Sequence, residues 1–169
     1  IMDGDVLHCK RCGGTTEERL TEGRARPVCR ECGFVTYLDP KLAVAVVLER
    51  DGLVLLGKRG PGARAAGKWS FPAWFVERGE VVEEAAIREV REETGYSIAI
   101  GSLIALLSSS GETVVLAVYT GTILSGDSTP DDDLTEHGWY SPGSPPELAF
   151  PHDMDILERI ARGVGACAP

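Results

Sequence analysis

The sequence predicts a mixed α/β fold, with helices on both faces of a mixed sheet, preceded by a small metal-binding module. Three observations carry that expectation. Four cysteines stand as Cys9-x2-Cys12 and Cys29-x2-Cys32, with sixteen residues between the pairs, a spacing that reads as a zinc site. Two aliphatic runs, 42–48 and 53–56, flank Asp51-Gly52, a strand–turn–strand signal. From Val82 to Thr94 the chain has mostly Ala, Glu, Arg, Ile and Val, with no Gly or Pro, a strong helix composition.

Taken in order, residues 1–38 form the zinc ribbon, with Val28, Phe34, Val35 and Tyr37 as its apolar contacts. Gly13 and Gly33 follow the cysteine pairs and allow tight knuckles. Four thiolates leave no open coordination position, so the zinc is structural; the competing reading is a pair of disulfides in a secreted module. Asp39-Pro40 marks the boundary with a second domain over 39–169. After the hairpin comes a Gly-, Ala- and Arg-rich loop at 60–67, then an extended stretch at 69–76 that leads into the helix. Gly95 supplies the left-handed residue after the last helical turn. Two more strands are expected at 98–107 and 113–122, a polar loop at 125–133 and a short strand at 139–140. A linker at 142–146 and a helix at 154–162 close the order, with Pro151 just ahead of that helix. Strands and helices alternate unevenly, which favours a mixed sheet over a regular parallel one.

Composition narrows the function classes. Of 169 residues, 43% are hydrophobic and 25% charged, the balance of an ordinary globular protein. The net charge of −9 falls almost wholly after residue 40 and disfavours a long phosphate backbone as partner. No apolar run is long enough to cross a membrane, and no basic-then-apolar leader opens the sequence, so a cytoplasmic location is expected. Cys167, in a Gly/Ala-rich stretch, has no evident partner.

On the Val82–Thr94 helix, Glu89, Glu92 and Glu93 fall at spacings of three and four and share one face. Like charges so placed repel. Mg²⁺ or Mn²⁺ ions, hard cations that prefer oxygen ligands, are natural counter-charges. Arg88 lies beside this face, with Glu84 and Glu80 as possible partners. The plainer reading is a solvated helix face laced with ion pairs.

Glu80, followed by Arg88-Glu89, Val90, Glu92-Glu93 and Gly95, then Tyr96, resembles the signature box of the Nudix hydrolases. The match departs at its first position, where Trp74 replaces the family's Gly. The four-cysteine ribbon, Pro72-Ala73-Trp74-Phe75 and the stretch 147–151 (Glu-Leu-Ala-Phe-Pro) extend the resemblance to the zinc-ribbon branch and to most of the chain. The downstream Ser-Gln-Pro-Trp-Pro-Phe-Pro segment of NADH pyrophosphatases is absent. The resemblance implies a Nudix-type α/β/α sandwich and metal-dependent hydrolysis of an ADP-ribose-, FAD- or NAD-like diphosphate to two monophosphates. It also implies metal ligation by Glu89, Glu92, Glu93 and the Ala73 carbonyl, with Glu77 joining through water. Arg88 then orients Glu89 and is itself held by Glu80. The general base is expected from the later loop: Glu136 first, Asp133 second, against a reading of that loop as merely solvated acid.

Arg59 and Arg64 flank the 60–67 loop and are candidates to bind diphosphate oxygens, or to serve surface solubility. Tyr37, Phe71 and Trp74 are candidates to stack on a base, although strand aromatics more often pack in cores. Trp74, where the family bends on Gly, is expected to wall the pocket and narrow the substrate range. A non-catalytic nucleotide sensor is the alternative function, and three clustered glutamates argue against it. A nucleic-acid-binding ribbon is disfavoured by its near-neutral charge. A homodimer is expected from the family resemblance, with no interface evident in the sequence.

Overall fold

Asp51 and Gly52 both adopt positive φ, 53° and 76°, the twist that a two-residue hairpin needs. They join β3 (Lys41–Arg50) to β4 (Leu53–Arg59). The computed structural model describes residues 8–127 and 134–163, in two compact units: 1–40 with 110–113, and 41–109 with 114–169.

In the first unit, β1 (Thr16–Thr21) pairs antiparallel with β2 (Arg24–Cys29). Two matching knuckles flank this hairpin. Gly13 N–H donates to the Cys9 carbonyl at 2.8 Å, and Gly33 N–H to the Cys29 carbonyl at 3.1 Å. Both glycines have positive φ (77° and 70°), which a Cβ would strain. Val28 is buried. Tyr37 corrects the expectation of an apolar contact: it is 49% exposed, with the Arg26 guanidinium 4.5 Å above its ring.

In the second unit, β3 pairs parallel with β8 (Val114–Ser125), which pairs antiparallel with β7 (Ser97–Leu107). β3 meets β4 only next to the turn, at Glu49–Val54 and Arg50–Leu53. Beyond that point the two strands take different partners. The start of β3 pairs with β6 (Ala73–Phe75) and the end of β4 with β5 (Trp69–Ser70), while the other edge of β4 pairs with β9 (Leu134–Tyr140) from Val54 to Arg59. The expected single extended stretch is thus broken at Phe71-Pro72, where the chain crosses from one group of strands to the other. Pro72 has no N–H to donate to a ladder.

β3 is buried on both faces, and its alternation sorts two cores. Ala43, Ala45 and Val47 join Phe71, Val118, Ile156 and Leu157. Val44, Val46 and Leu48 join Ala86, Val90, Tyr96 and Ile98. Each core is closed by a helix: α2 (Pro151–Ala161) on the first and α1 (Val82–Thr94) on the second. This is the expected α/β/α sandwich with a mixed sheet. The small Ala85 and Ala86 let α1 lie close to the sheet, and both are fully buried. Truncating Ile156 or Leu157 to Ala would cost roughly 2–5 kcal/mol. The closing helix starts three residues earlier than expected, because Pro151 is suited to a first helical position. β9 is longer than the short strand expected, its register on β4 running from Tyr140 back to Leu134. Asp133 and Cys167 lie outside the described residues. Among the described residues, no helix is long and apolar enough to cross a membrane.

Asp153, in the first turn of α2, is 1% exposed. Its carboxyl accepts from Phe71 N–H at 3.3 Å and Phe150 N–H at 3.0 Å. Burial pushes its pKa up from 3.8 to about 6, against the pull of those two amides and of Arg59. The folded state therefore holds this proton more tightly than the unfolded chain. The stability contributed by protonation is complete below about pH 4 and is lost as pH rises through about 6. Replacing Asp153 with Asn removes this dependence. The difference in Tm, Asp153→Asn minus parent, should accordingly rise between pH 4 and pH 7 in thermal melts. A constant difference would show that ionisation there carries no cost.

Candidate active site

α1 ends at Gly95, whose φ of 74° and N–H bond to the Arg91 carbonyl close the last turn. With Ala85, Ala86, Val90 and Thr94 turned into the core, the 3.6-residue period leaves the box glutamates outside it. Arg88 gathers the acids around it. Its Nε and Nη2 donate to Glu80 Oε1 at 3.0 and 2.9 Å. Its Nη1 donates to Glu89 Oε1 at 2.8 Å and to Glu92 Oε2 at 2.9 Å. The other Glu80 oxygen accepts from Glu77 N–H at 3.2 Å, fixing the loop before the helix. Arg88, with this amide, holds the Glu80 carboxyl below its ordinary pKa. This geometry orients Glu89, with Glu80 buttressing the arginine. Tyr119, on β8, donates to Glu83 Oε1 at 2.9 Å and ties the helix start to the sheet.

A cavity of ≈ 660 Å³ opens where β3 and β4 have parted. The carboxylate residues on its lining are Glu77, Glu89 and Glu93, joined by Ala73, Trp74 and Phe75 of β6 and by Arg59 and residues 60–63. The volume suits a nucleotide-sized ligand. Glu92, the most exposed partner of Arg88 at 58%, is not on the lining. Trp74 serves two purposes: it lines the cavity and packs against the core of Val44, Ala86 and Val90. Phe71, a stacking candidate in the sequence, is 2% exposed, so its ring has no face open to a base. Tyr37 belongs to the first unit and donates its hydroxyl to Glu22. Ser70, on the cavity lining, is 2% exposed, and its Oγ has no hydrogen-bond partner among the described residues.

The 60–67 loop is drawn in at its neck by Arg59 N–H to the Lys68 carbonyl and Gly67 N–H to the Arg59 carbonyl, each 2.9 Å. Arg59 Nε donates to the Arg64 carbonyl at 2.6 Å. Both guanidiniums lie over the Phe150 ring, Arg59 at 5.0 Å and Arg64 at 5.9 Å from its centre. Glu136 sits on β9 opposite Lys58, ion-paired with it at 3.3 Å, and is not on the cavity lining. The sequence reading overlooked Asp153; an Asp three residues beyond Phe150 at a Pro-led helix start was the available signal.

In the first unit, Cys9, Cys12, Cys29 and Cys32 bring their sulfurs within 4.8 Å of one another. Three of the sulfur pairs lie at 3.4 to 3.8 Å, against about 3.8 Å for sulfurs placed tetrahedrally around zinc. The Cys32 N–H pointing at Cys29 Sγ helps draw that thiol down to about 7, toward the thiolate that a metal needs.

The sequence profile described as the NUDIX domain matches residues 39–160. An ADP-ribose pyrophosphatase of Methanocaldococcus jannaschii is 36% identical over 126 residues, covering 72% of this chain and 74% of that protein. A Pseudomonas aeruginosa NAD-capped RNA hydrolase, NudC, is 29% identical over 169 residues; the match covers 96% of this chain but 59% of that protein. The crystal structure of a Nudix hydrolase from Nitrosomonas europaea superimposes with a TM-score of 0.83 at 30% identity, covering 95% of this chain and 96% of that one.

With zinc in the four-sulfur cluster, Cys29→Ser should lower zinc content from one ion per chain toward none, read by metal analysis of the purified protein. Amide exchange should quicken across residues 8–38, while the melting transition of the second unit stays in place. Full zinc retention would overturn the assignment of these ligands.

Proposed function

The chain belongs to the Nudix family of pyrophosphohydrolases, and on that basis we propose that it cleaves the diphosphate of an ADP-ribose-, FAD- or NAD-like compound into two monophosphates with Mg²⁺ or Mn²⁺. One observation carries the reading: a single cavity is lined both by carboxylates suited to a hard cation, Glu77, Glu89 and Glu93, and by Arg59, suited to an anion. The all-oxygen donor set fits Mg²⁺ or Mn²⁺ and disfavours softer metals. Glu89 and Glu93, with Glu92, Glu77 and the Ala73 carbonyl, would hold the ions. When bound, the metal neutralises phosphoryl oxygens and makes water a better nucleophile. The likeness to the Methanocaldococcus jannaschii ADP-ribose pyrophosphatase supports a dinucleotide-type substrate.

The chain's own residues do the rest. Arg88 fixes Glu89 and Glu92 through Nη1 and is braced by Glu80, so the carboxylates are positioned before any ligand arrives. Arg59 places a guanidinium beside the diphosphate, where bidentate contact is favoured. Trp74 offers an aromatic edge to the cavity whose packing against Val44 and Val90 keeps it from swinging away. The proton of the attacking water goes to a carboxylate. Glu77, Glu89 and Glu93 are the carboxylates on the cavity lining, and they supply the base more directly than Glu136, which is engaged with Lys58. Zn²⁺ at the four cysteines is structural in this reading.

Glu93→Gln should lower kcat/KM for ADP-ribose by about a hundredfold or more, with a change in stability of about 1 kcal/mol or less. Retained turnover with Mg²⁺ would remove Glu93 from the site. Hydrolysis by the parent in ¹⁸O water should label one of the two monophosphate products. Faster release of inorganic pyrophosphate from a nucleoside triphosphate would replace this substrate class with another.

A further inference from the structure

Asp153 is the only acidic side chain among the described residues that is buried, and its two oxygens are shared between Phe71, on the cavity lining, and Phe150, whose ring lies under the lining residue Arg59. Oδ1 accepts from Phe71 N–H at 3.3 Å and Oδ2 from Phe150 N–H at 3.0 Å. The strand ladder explains why a carboxylate is needed there. Trp69 N–H donates to the Glu147 carbonyl at 2.9 Å, and Ala149 N–H to the Trp69 carbonyl at 2.7 Å. At the next step both chains leave the ladder: Phe71-Pro72 crosses toward β6, and Phe150 enters α2. Two amides there need acceptors, and a buried N–H without one is costly.

Each amide anchors a different part of the site. Phe71 leads through Pro72 to Ala73 and Trp74 of β6, which pair with β3 and line the same cavity as Glu77, Glu89 and Glu93. Phe150 carries the Arg59 and Arg64 guanidiniums on its ring, which also stacks on His152 at 5.1 Å. We propose that Asp153 is a positioning residue for the hydrolysis, one carboxylate holding the β6 wall through Phe71 and the arginine wall through Phe150. The inference rests on the reading of the cavity given above. Among the described residues, two titratable or charged groups face the carboxylate: His152, whose Nε2 lies 3.9 Å from Oδ1 and whose pKa burial lowers, and Arg59, which lowers the carboxyl's pKa against burial. At neutral pH the group is ionised, with both oxygens free to accept.

Asparagine has the same shape but one acceptor. Its Nδ2 would face an N–H, donor against donor. The Phe71 amide is buried and the Phe150 amide only partly so, so the remaining oxygen should stay with Phe71 and release Phe150. Asp153→Asn, made in the full chain, is therefore expected to keep its Tm within about 5 °C of the parent. Exchange of the Phe150 amide, followed by NMR, should speed up while that of Phe71 stays slow. KM for ADP-ribose should rise about tenfold with kcat within about threefold, the split that marks loss of ground-state binding. Mn²⁺ affinity, measured without nucleotide, should not change. A folded variant with unchanged KM, or with unchanged Phe150 exchange, overturns the proposal. Should Asp153→Asn fail to fold, Phe150→Leu decides. It keeps the backbone amide and the carboxylate but removes the ring beneath the guanidiniums; the same rise in KM is expected, and an unchanged KM overturns the inference. A parent that cleaves none of ADP-ribose, FAD or NADH with either metal instead overturns the function on which it rests. The Phe150 exchange rate in Asp153→Asn still reports separately whether the tether exists.

Discussion

β3 and β4 share only two residue pairs before they part, and the candidate site depends on that separation. Had the hairpin stayed paired along its length, β6 would have had no place beside the start of β3. The Phe71-Pro72 crossing would then be unnecessary, and the cavity would be filled by a continuous ladder. Splayed strands leave backbone amides and carbonyls that must be paired again. β6 does this for β3, β5 for β4, and the Asp153 carboxylate for the amides at the crossing. A cavity that is open yet firmly walled is the consequence.

Charge is managed by the same economy of position. An acidic unit crowds glutamates along one edge of α1, where mutual repulsion would weaken the helix. Arg88 offsets this by meeting two of them, Glu89 and Glu92, together with Glu80 from the preceding loop, while Glu89, Glu93 and the loop residue Glu77 line the cavity. Exposed ion pairs contribute little stability one at a time. Here their value is geometric, because the arginine sets the direction in which Glu89 presents its oxygens. Arg59, on the cavity lining, lies over the Phe150 ring, and the Arg64 guanidinium lies over the same ring.

Much of this was legible in the linear chain. The cysteine spacing, the Asp51-Gly52 turn and the α1 boundaries each follow from local rules: sulfur geometry, positive φ, and a helix run ended by glycine. The structure places all three where those rules put them. The box glutamates, too, could be assigned to one helix face from spacing alone. Residue type was a poorer guide for the aromatics. Phe71, Trp74 and Tyr37 looked alike as stacking candidates, yet one is buried in the core, one is shared between core and cavity, and one lies exposed in the other unit beneath an arginine.

Local sequence sufficed for the cysteine pairs, the hairpin turn, α1 with its Gly95 cap and the chemistry of the carboxylate face, because each depends on neighbours within a turn or two. Which of those groups share a cavity was settled only by long-range packing. Arg59 and Glu93 are brought onto one lining by the splay of β3 from β4, an event with no local signature. Asp153 shows the same limit most clearly. Its side chain reads as an ordinary acid at a helix start, and only packing across 82 residues of sequence to Phe71 makes it a buried bridge between two distant segments. Periodicity reports what a segment can do with its own neighbours; pairing between distant strands decides what it must do with the rest.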